Sequence, residues 1–287
     1  MKIPPYAYIN GKIVKSSDAV VSLYDRGFLY GYGLFETIRA YNYTPFRLTD
    51  HLQRMMASAK HFNIRYTISQ DKLQRDITEL LRRNKLRNAY VRIMLSAGVE
   101  DGKPILSVIT KPLPPLPKDC YEKGVRVELA KWHKNTTSPL HGHKTLNYLE
   151  NVLSREKAQR HDVFEIIFTD EKGNILEGSC SNIFIVKNGK LYTPKVQSGN
   201  KRNVLPGITR KVVFMLAAKS RIPIIERQLR IGDVLSADEA FITNSLIEIM
   251  PVSHLGKRKI GRKEQFTTPI LTRLYRSAVK RECYYRI

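Results

Sequence analysis

The hydrophobic pattern of the chain changes period many times, and each change marks an element. YAYINGKIV alternates apolar and polar positions and turns at Asn10-Gly11, the pair expected in a two-residue hairpin. SLYDRGFLYGYGLFETIRAYNYTPFRL reads as a strand, a glycine-rich turn and a second strand. In HLQRMMASAKHF the apolar residues recur at helical spacing, and Asp50 just before it predicts the N-cap. DKLQRDITELLRRN predicts a second amphipathic helix, and AYVRIMLSAG and ILSVITKPLP predict strands.

The segment KPLPPLPKDCYEKG, Lys111 to Gly124, interrupts this pattern with Pro112, Pro114, Pro115 and Pro117. Prolines at this density favour an extended, stiff chain. The segment therefore divides the sequence into a small N-terminal part (1–112), a linker (113–123) and a larger C-terminal part (124–287). In the latter, VRVELAKW predicts a strand and LNYLENVLSREKAQR a helix. FEIIFTDEKGNILEGSCSNIFIVKNGKLYTP predicts strands joined by turns at Lys172-Gly173-Asn174 and Asn188-Gly189. LPGITRKVVFMLAAKS predicts a helix beginning near Gly207, and ADEAFITNSLIEIMPV one strand with a polar interruption. Mixed strands and helices with many hairpins indicate the α+β class.

Composition narrows the picture. At 287 residues and 42% apolar, the chain is long enough for two domains with real cores. No stretch approaches the ~20 apolar residues of a membrane span, and the N-terminus lacks the apolar core of a secretion signal. Three widely spaced cysteines, Cys120, Cys180 and Cys283, read as free thiols of a reducing compartment. These features place the protein in the cytoplasm. The net charge of +23 comes from 49 basic and 26 acidic residues, spread along the chain and densest in the tail. Without any recognisable nucleic-acid motif, it reads as a solvated basic surface that attracts small anions, and specific nucleic-acid binding is not expected.

Five places carry candidate chemistry. HGHKTLNYLENVL sets Lys144 behind His141 and His143, and a lysine in a confined setting can form a Schiff base with a carbonyl; a surface lysine would read the same way. His-x-His without further ligands is a poor metal signal, and no metal site is expected. ILEGSCSNIF puts Glu177 between an apolar strand and a polar turn, where a buried carboxylate needs a fixed partner and an exposed one does not. VLPGITR opens a helix at Gly207–Thr209, and free N–H groups at helix starts bind phosphate. ITNSL breaks an apolar run with three polar residues, and Arg54 stands beside an apolar helix face, where snorkelling would also explain it.

Together these groups suit one ligand with a carbonyl, a basic ring nitrogen and a phosphate. In order and spacing, DRGFLYGYGLFETIR, HLQRM, HKTLNYLENVL, LEGSCSNIF, LPGITR and TNSLIEIMPV resemble the class IV aminotransferases. That group of pyridoxal-phosphate enzymes includes branched-chain and D-amino-acid aminotransferases and aminodeoxychorismate lyase. The resemblance implies fold type IV, with a small N-terminal α/β domain and a larger C-terminal domain built on barrel-like sheets with flanking helices. It also implies pyridoxal 5'-phosphate as cofactor, held between the domains, and a homodimer whose second subunit completes the site. On the matching positions, Lys144 would bind the cofactor covalently and shuttle a proton, and Glu177 would pair with the pyridine nitrogen. Arg54, Ile208, Thr209 and Ser245 would hold the phosphate, and Tyr148 would approach the phenolic oxygen.

The substrate side separates the members of the group. Thr37 stands where branched-chain enzymes usually have glycine; EGSCSN and TNSLIEIMPV also depart from their pattern. The strand AYVRIMLSAG is similar to the same strand of the lyases, and no Arg-x-His follows at Arg92. These features lean towards the lyase that converts 4-amino-4-deoxychorismate to 4-aminobenzoate and pyruvate, with transamination of D-amino or branched-chain amino acids as the alternative. Thr37 would then act at the leaving group, Arg92 would hold a substrate carboxylate, and Tyr30 and Phe35 would form pocket walls. Arg92 in a structural salt bridge, and the two aromatic residues in the core, are the simpler alternatives.

Overall fold

The computed structural model describes residues 3–198, 201–261 and 266–285. Its contacts divide the chain into two compact units. The first comprises Met1–Pro114 with Lys144–Tyr148 and Ala278–Ile287; the second comprises Pro115–His143 and Leu149–Ser277.

The first unit contains β1 (Tyr6–Ile9), β2 (Lys12–Lys15), α1 (Arg26–Tyr30), β3 (Gly33–Tyr41), β4 (Thr44–Pro45), α2 (Leu48–His61), α3 (Gln70–Arg83), β5 (Ala89–Ser96) and β6 (Ile105–Pro112). Its strands form one antiparallel sheet in the order β2-β1-β6-β5-β3-β4. Asn10 and Gly11 both have positive φ, 45° and 90°, which matches the turn of the first hairpin to the strand twist. In β5, Ala89, Val91, Ile93 and Leu95 are buried and alternate with half-buried residues. The buried face packs with Leu52 and Met55 of α2 and Leu73, Ile77 and Leu80 of α3.

Two local expectations give way here. The expected strand before the glycine-rich turn is α1, because buried Asp25 caps it by accepting from the Gly27 N–H. Gly31, at φ 67°, ends it. Asp50 is not the cap of α2: the helix begins at Leu48 behind Arg47, and Asp50 sits in the first turn, ion-paired with Arg47 at 3.7 Å. An acid there still favours the helix dipole, so its effect on the helix is similar.

The second unit contains α4 (Lys118–Lys123), β7 (Val125–His133), α5 (Leu149–Arg160), β8 (Glu165–Thr169), β9 (Asn174–Gly178), β10 (Asn182–Lys187), β11 (Lys190–Thr193), β12 (Gln197–Ser198), β13 (Lys201–Arg202), α6 (Ile208–Lys219), β14 (Ile224–Glu226), β15 (Leu229–Arg230), α7 (Ile231–Leu235), β16 (Glu239–Asn244), β17 (Glu248–Leu255), β18 (Arg258–Lys259) and the start of α8 (Thr267–Cys283). Its main sheet runs β14-β11-β10-β16-β17-β7-β8-β9-β15. β9 and β10 are joined by three residues yet stand far apart in that order, so the sheet curls until they meet. Val127, Ile167, Ile183, Ile242 and Met250 are among the residues of its core.

The expected single strand ADEAFITNSLIEIMPV is a hairpin, β16 and β17. Asn244 makes the turn by accepting the Leu246 and Ile247 N–H groups on its Oδ1. The proline-rich segment stays extended to Pro117 and then forms α4, since proline fixes φ at a value suited to the residue before a helix.

Candidate active site

The lysine segment is a strand-like piece of the first unit. Phe35 N–H donates to the Lys144 carbonyl at 2.9 Å, and Leu146 N–H donates to the Gly33 carbonyl at 2.9 Å. Thr145 forms an isolated antiparallel bridge with Leu34. Because these backbone groups are committed to β3, the helix expected from Leu146 starts only at Leu149. The Lys144 ammonium lies 4.4 Å from the ring centre of Phe35 and 5.0 Å from that of Tyr148. The two rings meet edge to face at 4.9 Å.

Strand alternation continues this surface. Phe35 stands opposite Met94 and Thr37 opposite Arg92, so all four project from the sheet face away from the α2–α3 core. The Arg92 guanidinium stacks 3.8 Å from the centre of the Phe35 ring and donates to the Tyr90 hydroxyl at 3.4 Å. Among the described residues Arg92 makes no ion pair. Lys144, Tyr148, Phe35, Thr37 and Arg92 thus form one surface. Tyr30 is 70% exposed, whereas Phe35 is 3% exposed.

The opposite face of β3 carries Glu36, which meets His51 of α2, and neither is among the sequence candidates. Buried Glu36 accepts both Nε and Nη2 of Arg54, and the His51 ring at 2.7 Å. A carboxylate can only accept, so His51 Nδ1 carries the hydrogen. Burial alone would raise the Glu36 pKa, but the Arg54 and His51 charges and hydrogen bonds outweigh it and hold it at about 2. Burial lowers the pKa of His51, and Glu36 opposes that shift. Lys144 is among the charges that lower it. A signal was available: His51 and Arg54 are three apart on α2, hence on one helical face, and Glu36 lies inside LFETIR.

The second unit gathers another set. Glu177, on β9, accepts from Asn182 Nδ2 at 3.2 Å and from the Leu205 N–H at 3.0 Å. Asn182 also donates to the Leu205 carbonyl, which fixes the approach to α6. Gly207 precedes that helix with no side-chain cap, and Ile208 and Thr209 form its buried first turn. Gly207 lies so close to Asn182 that an added Cβ would meet Asn182 Oδ1 at 2.0 Å. Ser245 sits in the Asn244 turn. His141 is a local packing residue, its Nε2 bonded to the Asn203 carbonyl at 2.7 Å and its pKa lowered by burial.

The residues of the second unit fit pyridoxal phosphate on structural grounds. Thr243 stands opposite Asn182 in the β10–β16 ladder, and its buried hydroxyl has no partner among the described residues. A hydroxyl in that state wants a ligand atom. The uncapped start of α6 offers N–H groups of the kind that bind phosphate. Comparison with known proteins agrees. The pattern of the family described as amino-transferase class IV matches residues 33–255. A protein of Methanocaldococcus jannaschii with the name "Putative branched-chain-amino-acid aminotransferase" is 39% identical over 90% of this chain and 90% of its own length. The aminodeoxychorismate lyase of Bacillus subtilis is 31% identical over 95% of this chain and 94% of its own length. A branched-chain amino acid aminotransferase of T.th. solved with pyridoxamine 5'-phosphate superposes with a TM-score of 0.87 at 26% identity, over 99% of this chain and 96% of that one. With the family pattern covering most of its length, the chain belongs to the class IV aminotransferases and is a pyridoxal-phosphate-dependent enzyme.

Proposed function

We propose that this enzyme is a lyase that converts 4-amino-4-deoxychorismate to 4-aminobenzoate and pyruvate, a step in folate precursor synthesis. The observation that carries the reading is Thr37, a hydroxyl on the same sheet face as Arg92 and next but one to Phe35, against which Lys144 packs. The 31% identity to an aminodeoxychorismate lyase supports it.

In this reading Lys144 would be the covalent attachment point of the cofactor, Glu177 would keep the pyridine nitrogen protonated, and Tyr148 would approach the phenolic oxygen. Arg54, its guanidinium oriented by Glu36, would hold the phosphate together with Ile208, Thr209 and Ser245. Bound pyridoxal phosphate supplies an electron sink for charge released at the amine-bearing carbon. The Lys144 amine would remove the proton from that ring carbon. Arg92 holds a substrate carboxylate and Phe35 walls the pocket. Thr37 orients or relays a proton at the departing enolpyruvyl group. The ring then becomes aromatic, and the released enol tautomerises to pyruvate. No water or second substrate is consumed, so the two products form in equal amounts.

Thr37→Val should slow this turnover at least about 100-fold, the scale of a lost proton-transfer group. The reading is tested by giving the enzyme 4-amino-4-deoxychorismate alone and, separately, D-alanine or L-leucine with 2-oxoglutarate. Glutamate formation without any 4-aminobenzoate would overturn it in favour of transamination of D-amino acids or of branched-chain amino acids, the latter being the substrates in the 39% identical relative's name.

We further propose a cytoplasmic homodimer. Val20, Val21, Leu23, Tyr24, Phe28 and Leu29 form a run of exposed large apolar side chains of the kind that subunits cover. Tyr30, at the end of that run, would be a pocket wall contributed at such an interface.

A further inference from the structure

The seam where β9 meets β10 is held by a carboxylate. Glu165, on β8, is 2% exposed and accepts six hydrogen bonds. Its Oε1 takes the N–H groups of Ile166 and Ser179, both at 3.0 Å, and the Ser179 hydroxyl. Its Oε2 takes the N–H of Cys180 at 3.2 Å, the Cys180 thiol and the Ser181 hydroxyl at 2.8 Å. Among the described residues no cation pairs with it. On the other side of the turn, Asn151 donates to the Ser179 carbonyl at 2.6 Å, and Lys134 holds Asn151. Gly178 packs directly on the Glu165 side chain: an added Cβ would meet its Cδ and Cγ at 2.9 Å. The clamped turn, Ser179-Cys180-Ser181, is all that separates Gly178 from Asn182, and so Glu177 from its own hydrogen-bond donor.

We propose that Glu165 is a positioning residue for the cofactor: by gripping this turn it fixes the direction in which Glu177 presents its carboxylate. The inference rests on the reading of Glu177 as partner of the pyridine nitrogen. Only a carboxylate offers acceptors on both oxygens. A carboxamide would point an NH2 group at three donors, and the fixed Cys180 N–H cannot turn away.

The test compares holoenzymes of Glu165→Gln, Glu177→Gln and Ile167→Val, the last a core change on the same strand. Absorbance of the bound cofactor is followed against pH, and kcat and KM are measured. Glu165→Gln should move the pH midpoint in the same direction as Glu177→Gln and lower kcat at least about tenfold with a smaller change in KM. Ile167→Val should lower Tm and leave the midpoint alone. If Glu165→Gln behaves like Ile167→Val while Glu177→Gln moves the midpoint, the positioning role is overturned. If Glu177→Gln moves nothing, the reading of Glu177 itself fails. Should Glu165→Gln not fold, the double variant Ser179→Ala/Ser181→Ala removes two hydroxyl donors, and an unmoved midpoint in it overturns the proposal equally.

Discussion

A carboxylate held by an arginine and a histidine in a buried site makes stability depend on pH. Glu36 gives up its proton more readily in the folded chain than in the unfolded one, from 4.5 down to about 2. As pH falls, the unfolded chain therefore binds the proton first. The contribution of Glu36 is complete above about pH 4.5 and is lost towards pH 2; the difference corresponds to about 3 kcal/mol. His51 acts in the same direction, because its lowered pKa leaves it less ready than a free histidine to take a proton in the folded state. Glu36→Gln should cost about 3 kcal/mol at pH 7, measured by urea unfolding, because Arg54 would lose its carboxylate partner in a largely buried site. Its stability should also vary less than the parent's between pH 4.5 and 2. Equal stability of the two proteins at pH 7 would mean that Glu36 is not the ionised partner described.

Among the elements, α6 and the Asn182 side chain form the most restricted contact of the second unit's site. Gly207 has an ordinary φ of −62°, so its glycine is required by closeness to Asn182 rather than by backbone strain. Gly207→Ala should displace Asn182 from Glu177 and weaken cofactor binding at least about tenfold, or about 1.4 kcal/mol, with little effect on the helix. Equilibrium dialysis against pyridoxal phosphate would measure this, and unchanged retention would contradict it. The start of α6 was legible because the Leu-Pro-Gly stretch and the apolar period after it are local signals. The first hairpin was legible for the same reason, from Asn10-Gly11. The strand role of Lys144–Leu146 was not, since its partners Gly33 and Phe35 lie far upstream, and the local sequence reads as a helix start. Nor was the β16–β17 turn, where continuous apolar character masked the reversal made by one Asn244 side chain. Lys144 and Glu177 were picked out by matching motifs; Glu36 and Glu165 act through hydrogen bonds to distant segments, which no single stretch displays.

For the whole molecule, the exposed apolar run and the proposed chemistry give separate expectations. Light scattering on the purified protein should give twice the chain mass, and Phe28→Glu, which places a charge in the run, should give a single chain mass. A wild-type monomer at working concentration would contradict the dimer. The +23 charge gives no comparable specificity, and any DNA binding it causes should fade as salt is raised. The most direct measurement of the central claim is the product balance on 4-amino-4-deoxychorismate with no oxo acid added. The account predicts pyruvate and 4-aminobenzoate in a one-to-one ratio, with formation of both abolished in Lys144→Ala. It is contradicted if the cofactor-loaded enzyme yields neither product and instead makes glutamate from an amino acid and 2-oxoglutarate.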